Sequence, residues 1–145
     1  MEDDHAAVSR EVLRLKLIVG PAHHRRADHA RDDATGRGGY YCIKELERIH
    51  GWDPAKITVA IQGFGNVGQA CARLLHADGY RIVALSDAVG GIHRADGLDV
   101  PSLIRTKDDT RDIKTVYCEG CLVEQLPEAR ISNADLLELE VDLLI

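Results

Sequence analysis

Ile57-Thr58-Val59-Ala60-Ile61-Gln62-Gly63-Phe64-Gly65-Asn66-Val67-Gly68 decides the fold of this chain. Residues 57–62 form a β-branched, apolar run of strand length that leads straight into Gly63-Phe64-Gly65. From Asn66 to Asp78 the residues Val67, Ala70, Cys71, Leu74 and Leu75 fall on one helical face, and Gly79 supplies the stop. A second strand, from Tyr80 or Arg81 to Ser86, ends in Asp87. The string Gly-x-Gly-x-x-Gly alone is a weak signal. Here it leaves a strand, opens a helix and is answered by an acid nineteen residues after Gly68. Gly63 permits the tight turn, Gly65 clears a path for backbone to approach a pyrophosphate, and Gly68 lets helix and strand pack closely. The helix N-terminus at Asn66 and Val67 would hold the diphosphate with its N–H groups and dipole. Asp87 would accept hydrogen bonds from the adenosine ribose hydroxyls, or else serve only as a strand-end cap. A carboxylate there repels a 2′-phosphate, which favours NAD and leaves NADP as the alternative cofactor.

Working outward, Tyr40, Tyr41, Ile43, Leu46 and Ile49 recur at helical spacing and His50-Gly51 stops them, so a helix is expected over 37–50 with Thr35 as a candidate N-cap. Asp53-Pro54 is a turn. Gly90-Gly91-Ile92-His93 and Ala95-Asp96-Gly97 suggest a small hairpin, Val100 to Thr106 a short helix, and residues 107–130 show no readable pattern. Ser132-Asn133 caps a helix over 134–139, and Val141 to Ile145 is a third buried strand expected to pair with the first. Alternating strands and helices predict an α/β fold, a Rossmann-type doubly wound parallel sheet.

The chain has 145 residues, 45% hydrophobic and 29% charged, which suits one globular domain rather than a disordered or membrane-spanning chain. It begins Met1-Glu2-Asp3-Asp4 with no apolar segment behind, so no secretory signal is visible and a cytoplasmic location with reduced thiols is expected. The net charge of −6 argues against nonspecific nucleic-acid binding. That charge lies within residues 119–145, where seven acids face one base, Arg130. Leucines and Val141 interleave with those acids, the pattern of a folded element with a solvated acidic face. Cys118-Glu119-Gly120-Cys121 has the spacing of half a zinc site, but no second pair follows and no metal is expected. Cys42 and Cys71 fall within apolar helical patterns. Residues 1–30 are atypical in holding four of the seven histidines.

The surrounding motifs add a resemblance. Arg31-Asp32-Asp33-Ala34-Thr35-Gly36-Arg37-Gly38, then the strand and glycine loop, then Ser86-Asp87 with Gly90-Gly91-Ile92, and Asp96-Gly97-Leu98-Asp99 together resemble the glutamate/leucine/phenylalanine/valine dehydrogenase family, within it the glutamate dehydrogenases. The resemblance covers roughly residues 31–145. It implies a partial dinucleotide-binding domain over 31–145, behind an atypical N-terminal segment over 1–30. It also implies NAD(P)-dependent oxidative deamination of an L-amino acid to its 2-oxo acid and ammonia. By this resemblance Thr35 bonds the nicotinamide carboxamide, Arg31 sits at the cleft, Gly65, Asn66 and Val67 hold the pyrophosphate within the cofactor-binding loop that Gly63 and Gly68 complete, and Asp87 holds the ribose. The family's catalytic lysine and aspartate belong to a substrate domain that nothing here matches, and its sheet continues beyond the strand at 141–145. The expectation is therefore a sheet incomplete at its C-terminal side, with no catalytic residues and no turnover by this chain alone. The parent enzyme is expected to be a homo-oligomer acting on small molecules, with no nucleic-acid or membrane partner. Two other readings share the glycine loop. A noncatalytic NAD-binding regulatory module would not be expected to carry Ala34-Thr35-Gly36-Arg37-Gly38. A methyltransferase would usually carry an acid where Gln62 stands.

Overall fold

Five strands form one sheet in the order β4-β3-β2-β1-β5. The computed structural model describes residues 29–109 and 121–145, with side chains over 34–107 and 121–145. The strands are β1 (Thr58–Gln62), β2 (Arg81–Ser86), β3 (Gly91–His93), β4 (Arg130–Ile131) and β5 (Leu143–Leu144). The helices are α1 (His29–His50), α2 (Asn66–Ala77), α3 (Val100–Asp109), α4 (Leu122–Gln125) and α5 (Asn133–Leu137). β1 runs parallel to both β2 and β5, as the sequence pattern required. β3 is antiparallel to β2 and to β4, so the sheet is mixed rather than wholly parallel. The reversal has a local cause. A β-carbon on Gly91 would stand 3.0 Å from Ile131 Cγ2 and 3.0 Å from Leu85 O, so the chain can double back tightly beside β2 only with glycine there.

Both sheet faces are covered. Val59 and Ile61 of β1, with Ile82 and Leu85 of β2, pack with Ile43 of α1 and Cys71, Ala72 and Leu75 of α2. Ala60, Val83 and Ala84 pack with Leu136 of α5 and with Val141 in a second cluster. Small residues on that face let a five-residue helix seat one leucine against the sheet. Ser132 caps α5, its hydroxyl accepting from Asp135 N at 3.0 Å. Asp142 Oδ2 accepts from Thr58 N at 2.8 Å and from Thr58 Oγ1 at 2.7 Å, which pins β5 beside β1. Ile145 continues the pairing, donating to Ala60 O at 2.9 Å and accepting from Gln62 N at 2.8 Å.

α1 begins at His29, eight residues before the expected start. Thr35 therefore lies inside the helix and is not its N-cap, because Ala30, Arg31 and Ala34 continue the helical backbone upstream. Cys42 is exposed rather than part of the apolar face, whereas Cys71 is buried, and that burial pushes its thiol up to about 11.

A polar clasp joins α1 to the end of α2 and the start of β2. Tyr40 Oη donates to Asp78 Oδ2 at 2.7 Å, Tyr80 Oη donates to Glu47 Oε2 at 2.7 Å, and Lys44 Nζ bridges Glu47 at 2.6 Å and Asp78 at 3.0 Å. The Lys44 bond, followed by the Tyr80 bond, holds the Glu47 carboxyl below its ordinary range. Bonds from Tyr40 and then Lys44 do the same for Asp78. Lys44, through its Glu47 bond, and Tyr40, through its Asp78 bond, are shifted up. Burial and then the Glu47 bond raise Tyr80. A carboxyl with a lowered folded pKa contributes stability above its unfolded value and loses it as pH falls through the folded one. Raised Lys44, Tyr40 and Tyr80 contribute fully below their unfolded values and lose that contribution as pH rises through the folded ones. Stability should therefore be level from about pH 5 to about pH 9 and fall outside that window. Asp78→Asn should flatten the acid limb in melting curves recorded against pH. An unchanged acid limb in that variant contradicts the assignment.

Candidate functional site

The glycine loop occupies the carboxyl end of β1, the strand from which the sheet extends to β2 on one side and β5 on the other, where open α/β folds place their ligands. Gly63 has φ +99°, a conformation that favours glycine, and its N–H donates to Ser86 O at 3.0 Å, tying the loop to the end of β2. Gly65 is the N-cap of α2 and offers no side chain to cap it. No atom lies within 4 Å of where its β-carbon would be, so the space above Gly65 is open. A β-carbon on Gly68 would overlap the Gly63 carbonyl oxygen. Asn66, Val67 and Gly68 form the first turn of α2, whose N–H groups have no partner within the helix. Open space above Gly65, an N-cap without a side-chain bond and the positive end of a twelve-residue helix suit a diphosphate.

Phe64 completes the cradle. Its ring is fully buried, and its carbonyl accepts from Lys107 Nζ at 2.8 Å and from Gln69 Nε2 at 3.1 Å. Two donors draw this carbonyl oxygen towards protein and away from any anion bound at the loop. Lys107 Nζ also stands 5.3 Å over the Phe64 ring and 3.9 Å from Asp87 Oδ2. Burial holds the Lys107 amine below its ordinary range, opposed by the Asp87 charge. Sequence reasoning missed Lys107 because it lies forty-three residues from Phe64, on a helix whose pattern gives no hint of its partner.

Asp87 stands where expected, after β2 and beside the loop, but its carboxylate is already engaged. Oδ1 accepts from Val89 N at 3.0 Å and Gly90 N at 3.3 Å, and Oδ2 accepts from Leu122 N at 3.2 Å at the start of α4. Asn133 Nδ2 donates to Asp87 O at 3.2 Å. The residue thus closes the 87–90 turn and caps α4, and its carboxylate has lone pairs left for further donors. Thr35 is exposed on α1, one residue before Gly36. A β-carbon on Gly36 would stand 2.7 Å from Ala70 Cβ and 3.0 Å from Val67 O, so this glycine lets α1 lie directly on the first turns of α2. The residue that follows Thr35 thus packs on the first turns of the helix that the glycine loop opens. Arg31 is in the first turns of α1, and its side chain lies outside the described residues, as does Cys118. Among the described residues no group of three or more His, Cys, Asp or Glu is arranged to hold a metal. No helix among them is long and apolar enough to cross a membrane. A cleft of 480 Å³ lined by His76, Arg81, Asp96 and Asp99 opens at the amino ends of β1 and β2, remote from the glycine loop.

A mostly parallel open sheet, helices on both faces and a strand–glycine loop–helix unit leading out of β1 define a Rossmann-type α/β protein. The family model for glutamate/leucine/phenylalanine/valine dehydrogenase matches residues 27–145, and the chain belongs to that family. It is 35% identical over 142 residues to an NADP-specific glutamate dehydrogenase of Synechocystis, covering 98% of this chain and 33% of that protein. It is 41% identical over 132 residues to the glutamate dehydrogenase of Thermotoga maritima, covering 90% of this chain and 30% of that protein. The catabolic NAD-specific glutamate dehydrogenase RocG of Bacillus subtilis is 32% identical over 145 residues, a match that includes residues 1–30 and covers 32% of RocG. The chain thus spans about a third of the length of these relatives. Among solved structures, the hetero-hexameric glutamate dehydrogenase of Thermus thermophilus in its Leu-bound form superposes with TM-score 0.63 at 30% identity, over 79% of this chain and 24% of that one. The relatives include NAD-specific and NADP-specific enzymes, which supports a nicotinamide cofactor without choosing between the two.

Proposed function

We propose that residues 31–145 are the dinucleotide-binding part of an amino-acid dehydrogenase of glutamate type. The observation that carries this reading is the open space above Gly65 at the N-terminus of α2, with Gly36, the neighbour of Thr35, packed on its first turns. Gly65, Asn66 and Val67 hold the pyrophosphate in the loop that Gly63 and Gly68 shape, Asp87 holds the adenosine ribose, Thr35 the nicotinamide carboxamide, and Arg31 lies at the cleft. When bound, the nicotinamide supplies the hydride acceptor. The overall reaction converts an L-amino acid, water and NAD(P)⁺ to the 2-oxo acid, ammonium, NAD(P)H and a proton. The residues of this chain bind and orient, and the proton-handling groups are expected on a separate substrate-binding part. The segment 31–145 alone therefore binds cofactor without turnover, and the whole enzyme works as an oligomer.

Calorimetric titration of the chain with NAD, NADP and S-adenosylmethionine tests the reading. Binding of a nicotinamide dinucleotide but not S-adenosylmethionine, with no NAD reduction in the presence of glutamate, is expected. The opposite preference would sink the assignment, and glutamate-dependent NAD reduction would remove the claim that this segment only binds.

Lys107 bears on the choice of cofactor. Its ammonium offsets the Asp87 carboxylate at 3.9 Å, so the acid does not oppose a 2′-phosphate unaided. Lys107→Met leaves that acid uncompensated and should lower NADP affinity relative to NAD by about fivefold, near 1 kcal/mol. An unchanged ratio of the two dissociation constants would show that this pair does not set the preference.

A further inference from the structure

The clasp between α1 and α2 has a consequence for the cofactor's far end, one that rests on the assignment of Thr35 above. α1 lies along α2 with two points of attachment. Near its start, Gly36 abuts Val67, Ala70 and Cys71. Near its end, Tyr40, Lys44 and Glu47 bond Asp78 and Tyr80. The apolar contribution of α1 to the main core is small: Ile43 is fully buried in it and Tyr40 is packed partly against it. Apolar burial is non-directional and tolerates a slide of one helix along another. Hydrogen bonds of 2.7 to 3.0 Å that cross from α1 to Asp78 and Tyr80 do not.

We propose that Asp78 and Glu47, acting through Tyr40, Lys44 and Tyr80, are positioning residues that fix the register of α1 on α2 and so hold Thr35 at the nicotinamide end of the site. They touch no cofactor. Asp78 lies at the end of α2 opposite the glycine loop, so loss of the clasp frees α1 without disturbing the pyrophosphate cradle at Gly65.

The test compares the chain with its Glu47→Gln/Asp78→Asn variant, which keeps shape and removes both charges. ADP-ribose serves as a probe because it retains adenosine and pyrophosphate but lacks nicotinamide. The variant should bind NAD about fivefold more weakly while its ADP-ribose affinity stays within about twofold. Hydrogen exchange should rise about tenfold over residues 34–42 and stay unchanged in β1 and β2. Unchanged exchange in α1, an equal rise in β1 and β2, or a parallel loss of NAD and ADP-ribose affinity would each overturn the proposal. Tyr40→Phe, which removes one hydroxyl at a partly exposed site, should show the same selectivity at smaller amplitude and keeps the test decisive if the double variant misfolds. Equal affinity of the unaltered chain for NAD and ADP-ribose would instead overturn the role given to Thr35, and the exchange pattern would still decide the register claim.

Discussion

Gly68→Ala should destabilise the chain by about 3 kcal/mol, lowering its melting temperature by about 10 °C. The added methyl would occupy the position of the Gly63 carbonyl oxygen, and its next neighbours are Gly63 C at 3.0 Å and Ile61 Cγ2 at 3.8 Å. Relief requires α2 to retreat from β1 or the loop to re-form. The first breaks the packing of Cys71, Ala72 and Leu75 on the sheet, and the second displaces Gly63 from the positive φ it holds. A stability of about 5–15 kcal/mol for a domain leaves little margin for either. Gly38→Ala is the control, since no atom lies within 4 Å of the new β-carbon and the residue is inside α1. That change should stabilise by about 0.5–1 kcal/mol. Thermal melts of the two variants side by side check both signs, and equal melting temperatures contradict the packing assigned to Gly68.

Gly65→Asp should leave the fold intact and abolish cofactor binding. Gly65 has φ −79° and ψ −170°, ordinary extended backbone, and its missing β-carbon faces open space. Aspartate is a favoured N-cap, so stability should rise by about 0.3 kcal/mol. The same carboxylate would stand where the pyrophosphate binds, and like-charge juxtaposition of about 3 kcal/mol corresponds to an affinity loss of about a hundredfold. Calorimetry with NAD reads the affinity, and a melt reads the fold. Retention of NAD affinity within about threefold would mean that the diphosphate lies elsewhere. Three residues apart, Gly68 and Gly65 thus separate the demands of packing from those of binding.

The central unit was legible because its signals are local. Apolar runs mark β1 and β2, one helical face marks α2, and the three glycines mark the turn between them, so β1, α2, β2 and Asp87 lie where the pattern put them. The pairing of β5 with β1 was legible from the strand order of a doubly wound fold rather than from a local signal. Other features depend on contacts distant in sequence. The place of β4 beside β3 rests on Gly91 against Ile131, and β4 is a two-residue strand with no periodicity to read. The upstream extension of α1 turned Thr35 from a helix cap into a mid-helix residue, because helix propensity alone does not mark an end. Asp87 illustrates the limit of motif reading: the acid is in place, yet its oxygens also serve the 87–90 turn, α4 and Lys107. Lys107 has no sequence signal at all, since only the fold brings it to Phe64.

The most direct test of the central claim is a map of amide chemical shifts on adding NAD to the isotopically labelled chain. The account predicts the largest changes at Gly65, Asn66, Val67 and Gly68, with a second set at Thr35 and Gly36, and none around the cleft of His76, Arg81 and Asp96. Changes centred on that cleft, or no change at Gly65 to Gly68 with NAD in saturating excess, would contradict it.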